Sequence, residues 1–240
     1  MFSHVDSDGH LRPIERATAT RQERQQQFRD ATRRAILDAA LDLFAVDGYA
    51  SVSMRSIAAK VDYSPAAIYG YFPSKDDIFF ALAEEGLSRL GHQELSAEPT
   101  SDPLDDVRAM VWRLYVFSQE HPQYFALVFL DRTVPRISRE YERFAFMSTL
   151  RERTITRMQR CLDTGALPDA VHIDTAIRLL FASVIGLASL RLSNRLAPWE
   201  DADALVRQAI DITLAGFTYH PPVGSDPPGK SSQSSCHSDR

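Results

Sequence analysis

The run from Ser53 to Lys75, SMRSIAAKVDYSPAAIYGYFPSK, constrains this chain more than any other feature. It carries a serine at each of three places where a helix can begin. Ser53 suits an N-cap, because its hydroxyl can accept from one of the orphan backbone N–H groups of a first turn. Ile57, Ala58 and Val61 then mark the inward face of a helix of about two turns. Asp62 and Tyr63 make a short turn. Ser64 caps the next helix, and Pro65 falls at its first position, where a missing N–H costs nothing. Ile68 and Phe72 anchor that second helix to a core. Ser74 caps a third helix, with Asp76 and Asp77 in its first turn beside the positive end of the dipole.

The flanks complete the unit. Ile36, Leu37, Ala40, Leu41, Leu43 and Phe44 form one helical stripe, stopped by Gly48. From Lys75 to about Leu95, Phe79, Leu82, Ala83, Gly86, Leu87 and Leu90 share one face. Two short helices joined tightly and packed on a longer one predict a helix-turn-helix, whose second helix enters the major groove. On pattern alone, a structural helical hairpin is the alternative.

The rest of the chain is also helical in period. Leu104 to Glu120 is apolar on nearly every side, which places it inside a bundle. His121 and Pro122 break it. Tyr124 to Leu130 is a short apolar segment. Phe144, Met147, Ile155, Met158 and Leu162 mark a longer helix ending near Gly165. Ile173–Leu192 and Glu200–Tyr219 follow. No alternating strand is seen. The expected fold is all-α, a three-helix helix-turn-helix domain followed by a C-terminal helical bundle. Its divisions are a flexible basic arm over 1–27, with a helix beginning as early as Arg21; the helix-turn-helix domain with its linker helix over 28–95; the bundle over 96–220; and a disordered Pro-, Gly- and Ser-rich tail over 221–240.

Net charge is −5, which does not advertise a nucleic-acid partner. The distribution does. Between Arg12 and Arg34 stand seven arginines against Glu15, Glu23 and Asp30, an electrostatic footprint that the total conceals. A solvated polar tail is the alternative reading. Cys161 and Cys236 make neither a disulfide framework nor a metal-ligand spacing, so a reducing cytoplasm is expected, with no metal and no cofactor. The first residues hold no apolar signal region. The longest apolar run, Leu179 to Leu190, falls short of the roughly 18 residues of a membrane span and predicts a buried helix. The histidines join no nucleophile motif and no phosphate loop occurs, so no enzyme is expected.

Residues 30 to 85 resemble the DNA-binding domain of the tetracycline-repressor (TetR) family. The matching pieces are AILDAALDLF from Ala35, DGY from Asp47, SMRSIA from Ser53, VDYS from Val61 and IYGYFPSKDDI from Ile68. The resemblance implies phosphate contacts from Ser53, Tyr69, Tyr71 and Lys75, and base contacts from Arg55, Ser64, Ala66 and Ala67. The residues themselves add a constraint. The second helix carries no Arg, Lys, Asn or Gln, the side chains that bind base edges bidentately. Arg55 is therefore the expected guanine reader. Tyr63, Ala66 and Ala67 would supply shape and thymine-methyl contacts, and Arg29, Arg33 and Arg34 would reach phosphates or the minor groove.

The resemblance also implies a homodimer through the last two helices, a palindromic DNA operator and a small-molecule effector bound within 96–220. Ala182, Gly186 and Ser189 would form the close face between subunits; packing inside one subunit is the alternative. Residues 115–129 resemble the sensor domain of a TetR subgroup named for a Trp-His-Gly signature, of which only Gly186 remains. Trp112, Tyr115, Phe125, Phe129, Met147 and Phe181 are the expected ligand-lining residues, suited to a hydrophobic or aromatic effector. Such an effector would act by population shift. A DNA-bound scaffold, or an activator without an effector, would use the same N-terminal domain.

Overall fold

A computed structural model describes residues 13–135 and 145–219, with the side chains of 20–135 and 148–219. The first twelve residues of the expected arm, the expected tail over 221–240 and the side chain of Met147 lie outside the described residues. Among those described there is no strand, and the fold is all-α.

α1 runs Pro13–Asp47. It starts before Arg21: Pro13 suits a first helical turn, and the stretch IERATAT after it holds no further proline or glycine to interrupt the helix. From Thr20 to Ala31 every side chain is exposed, so this end of α1 stands clear of the fold. From Thr32 onward Ile36, Leu37, Ala40, Leu41 and Phe44 are buried. Gly48, at φ 77°, turns the chain out of the helix, a conformation that costs a residue without Cβ little.

α2 (Met54–Lys60) and α3 (Pro65–Tyr69) follow, joined at Asp62, whose φ of 57° an aspartate tolerates. α4 (Lys75–Leu95) buries Ile78, Phe79, Leu82, Ala83 and Leu87, sharing its apolar face between the N-terminal head and the C-terminal body.

The body is built around α5 (Pro103–Glu120), which packs against α4, α6, α7, α8 and α9. This agrees with its nearly all-round apolar composition. The short segment after it is α6 (Pro122–Phe125), continued by a π-helical turn over Ala126–Leu130. The wide turn closes where Asp131 N–H donates to the Ala126 carbonyl at 2.9 Å, five residues back. α7 is Ala145–Asp163, α8 Ile173–Leu192 and α9 Ala202–Thr218.

α8 corrects one expectation. It is buried along Ala176, Leu180, Val184 and Ala188, but exposed along Leu179, Ala182, Gly186 and Leu190. Its twenty residues are long and apolar enough to cross a membrane by length and composition, with 22% of that window buried.

Candidate nucleic-acid interface and effector cavity

All three serine caps form. Ser53 accepts from Ser56 N–H at 3.1 Å, and the Ser56 hydroxyl returns the favour to Ser53 N–H at 2.9 Å. Ser64 accepts from Ala67 N–H at 3.2 Å, and Ser74 from Asp77 N–H at 3.2 Å. These bonds satisfy helix-end donors within the motif and fix where each helix begins. Ile57, Ala58, Ile68 and Phe72 point into the core, so the opposite faces of α2 and α3 point outward.

That outward surface brings most of the expected contact residues together. Ser53, Arg55, Ser64, Ala66 and Tyr69 are exposed, and Ala67 and Tyr71 half-buried. Among the described residues, the Arg55 guanidinium has no hydrogen bond or ion pair. Arg33 is exposed, with its guanidinium 5.0 Å from the Phe72 ring centre, and Arg29 lies 5.9 Å from that of Tyr71. Both therefore flank the far end of α3.

Three residues sit differently from the simplest picture. Lys75 donates to the carbonyls of Tyr49 at 2.8 Å and Val52 at 2.9 Å, with its nitrogen 4.1 Å from the Tyr49 ring centre. It pins the turn before α2, leaving one of an ammonium's three protons for an outside acceptor. The Tyr63 hydroxyl lies 3.4 Å from that of Thr32 on α1. Arg34 does not belong to the arm: it binds Glu85 at 2.5 Å and Asp38 at 2.9 Å, so its charge is spent between α1 and α4.

The sequence pattern did not reveal how the head is fastened to the body. Gln123 donates to Asp42 at 3.0 Å, and Asp42 also takes Lys60 at 3.0 Å. Asp131 accepts from Tyr49 N–H at 2.9 Å. Burial raises the carboxyl of Asp131, but its bonds from Thr133 and from Tyr49 N–H outweigh that and leave it below the ordinary range. Glu85 is likewise desolvated, yet bonds from Arg89, Arg34 and Tyr124 hold it low. At Gly86 an added Cβ would lie 2.8 Å from a Tyr124 ring carbon, so α4 and α6 approach as closely as glycine permits.

Within the body lies a cavity of about 270 Å³. Leu87, Leu90, Met110, Leu114 and Ile177 form much of its wall, together with Phe129 and Phe181 of the expected set. Trp112, Tyr115 and Phe125 are placed elsewhere. Trp112 faces a groove against α9, where Arg207 stacks 3.8 Å from its ring centre. Tyr115 is buried, donating to Asp203 at 2.6 Å and accepting from Arg191; burial and the Asp203 bond push its phenol up to about 12. Phe125 is wholly buried, its ring 5.1 Å from that of Phe129. Polar side chains reach the cavity from Glu94, Arg151, Thr154 and Asp174.

An outward rod of small side chains on capped, buried anchors is a shape the major groove accepts, and it makes the head a helix-turn-helix. Residues 36–82 match the family described as bacterial regulatory proteins, tetR family. Residues 107–213 match the family described as tetracyclin repressor-like, C-terminal domain. The chain belongs to the TetR family of bacterial regulators.

Among its relatives is the HTH-type transcriptional regulator AcrR of Shigella flexneri, 37% identical over 97 residues, a match that takes in 40% of this chain and 43% of that protein. The HTH-type transcriptional repressor SCO4008 of Streptomyces coelicolor is 24% identical over 159 residues, covering 64% of this chain and 76% of that one. Among solved structures, FadR from Bacillus subtilis in complex with stearoyl-CoA superposes with a TM-score of 0.63 at 14% identity, over 78% of this chain and 99% of that one. That likeness speaks for the fold.

Proposed function

We propose that this protein is a cytoplasmic, ligand-responsive repressor that binds a palindromic operator as a homodimer and releases it when a small apolar effector enters the body cavity. The observation that carries the reading is the surface of α2 and α3, where Arg55 stands exposed without a partner among the described residues, beside the side-chain-poor α3. A guanidinium left free in this way can make a bidentate contact to guanine, while Ala66 and Ala67 let the helix backbone approach the groove closely.

The dimer reading is supported by α8 and α9. Leu179, Ala182, Gly186 and Leu190 line an exposed stripe on α8, and Ile212 on α9 and Tyr219 just beyond its end are exposed. A Cβ at Gly186 would meet nothing within 4 Å in the subunit. Nothing in the subunit therefore requires its smallness, whereas a second copy packed there would. Adjacent apolar surface left in water on two neighbouring helices is the usual mark of an interface. The effector reading is supported by the cavity's leucine and phenylalanine walls, which suit an apolar body. The Bacillus subtilis FadR complex holds stearoyl-CoA, a ligand with such a body.

Selection of bound duplexes from a random pool, followed by quantitative binding, tests the central claim. A palindromic sequence should emerge, and Arg55→Ala should relax preference at one base pair per half-site by about 1–3 kcal/mol. A uniform loss across sequences would make Arg55 a phosphate contact instead. No enrichment of any duplex would remove the reading.

A further inference from the structure

Glu94 stands one residue before the end of α4, and its side chain is 5% exposed. It accepts from Arg113 of α5 at 2.5 Å and from Arg157 of α7. Arg153, one turn earlier on α7, donates to the Leu95 carbonyl at 2.7 Å. Two half-buried guanidiniums therefore share the single carboxylate at the end of α4, and a third, exposed, takes the neighbouring backbone carbonyl. The neighbouring buried acid differs. Asp106 takes one guanidinium, from Arg160 at 2.7 Å, and one backbone N–H, from Thr100 at 2.5 Å, and it does not line the cavity. Glu94 does line it. The apolar cavity thus ends on a carboxylate backed by two half-buried guanidiniums that stand behind it, outside the cavity lining, while Arg151 and Asp174 line the wall as well.

Taking the cavity as the effector site, we propose that the effector is an anionic amphipath, an apolar chain ending in a carboxylate, and that its head replaces Glu94 on Arg157 and Arg113. The exchange leaves neither guanidinium unpaired, which a buried charge does not tolerate. Bidentate binding of carboxylate is what guanidinium geometry favours. The displaced Glu94 has a short path to water, since Ser96 and residues 98–102 beyond it are exposed. Releasing it removes the side-chain ties from α5 and α7 to the last turn of α4, leaving only Arg153 on the Leu95 carbonyl. The other end of α4 begins at Lys75, directly after the α3 motif, so the helix that loses its tether also carries the DNA-reading surface. An amine cannot make this exchange, since it would meet the guanidiniums as a like charge; it would have to pair with Glu94 or Asp174 on the wall instead, and an amine probe tells the two apart.

The test uses the full chain with decanoate, decanol and decylamine as probes, read by calorimetry and by release of selected operator DNA in fluorescence anisotropy. Decanoate should bind about tenfold or more tightly than decanol, with decylamine weakest. Glu94→Gln removes the competing charge while keeping the shape; decanoate should then tighten by about tenfold while decanol stays put. Arg157→Gln should bring decanoate down to decanol, and Arg113→Gln gives the same reading if the first variant fails to fold. Asp106→Asn should leave the decanoate-to-decanol ratio unchanged. Equal binding of acid and alcohol, preference for the amine, an unmoved Glu94→Gln or an Asp106→Asn shift of similar size would overturn the exchange. If decanol binds and releases DNA as well as decanoate does, the effector cavity survives and only the anion exchange falls. If no probe binds while operator is still held, both fall together.

Discussion

Head and body hold their shapes by contacts of opposite range. In the head, the bonds that cap the helices join residues three apart, Ser53 with Ser56, Ser64 with Ala67 and Ser74 with Asp77, and Lys75 on the Tyr49 and Val52 carbonyls is the long-range addition. In the body, polar bonds join distant helices: Asp106 with Arg160, Glu94 with Arg157, Tyr115 with Asp203, Arg108 with Asp211. A cap of the first kind specifies a helix end wherever the segment finds itself. A pair of the second kind specifies nothing until the chain has folded. The head is therefore determined piece by piece and the body only as a whole.

The sharpest way to break that contrast is to remove one long-range partner. Glu94→Ala leaves the half-buried Arg113 and Arg157 without their carboxylate and should cost up to about 3–5 kcal/mol. Calorimetric unfolding would measure it, and a loss near that of an exposed pair would mean the body does not depend on its ion pairs. The seam between head and body comes next. Gly86→Ala would drive a methyl against the Tyr124 ring, at its root as well as its edge. The expected loss is about 1–3 kcal/mol, the usual cost of overpacking. Operator affinity should change with it, because α4 and α6 must separate. A stability change without any change in DNA binding would show that the seam does not transmit.

These contacts also explain what could be read in the sequence. α2, α3, α4 and α8 carry their own boundaries: a serine cap, a proline at a first turn, a polar break after an apolar run. The outward face of α2 and α3 followed, because inward Ile57 and Ile68 dictate which side chains face out. The start of α1 was harder, since a polar stretch that forms a helix has the same composition as a solvated tail. The cavity was harder still. Trp112, Tyr115 and Phe125 look like lining residues by type, yet aromatic character does not say which wall a ring faces. Arg191 and Asp203, far along the chain, claim the Tyr115 hydroxyl. Glu94, the cavity's one buried carboxylate, looked like any surface acid on an amphipathic helix, and only its partners on α5 and α7 distinguish it.

Against the body's losses, a single head cap should be a small matter. Ser64→Ala removes the acceptor for Ala67 N–H on an exposed surface and should cost about 0.5–2 kcal/mol, typically near 1. Hydrogen exchange should show the loss confined to α3, with α7 to α9 unchanged. Spread of the effect into the body would contradict local specification of the head.

The smallest expected effect concerns acid, and it acts at the seam. Asp42 is held below the ordinary carboxylate range by Lys60 and Gln123, and Asp131 by Thr133 and Tyr49 N–H. A carboxyl whose folded value is depressed contributes its full stability above the unfolded value, about 3.9, and loses it as pH falls through the folded one. The head–body bonds should thus weaken only below about pH 4. The Asp42 side chain is half exposed and its pair with Lys60 solvated, so Asp42→Asn should change neutral-pH stability by well under about 1 kcal/mol. Asp131→Asn keeps one acceptor oxygen but loses the titrating charge. Its stability curve should be flatter than the parent's in that acid window, and Tyr49 amide exchange should rise less steeply on acidification. An Asp131→Asn curve parallel to the parent's would mean that acid enters the molecule elsewhere, and that the seam is held by packing at Gly86 and Tyr124 rather than by its carboxylates.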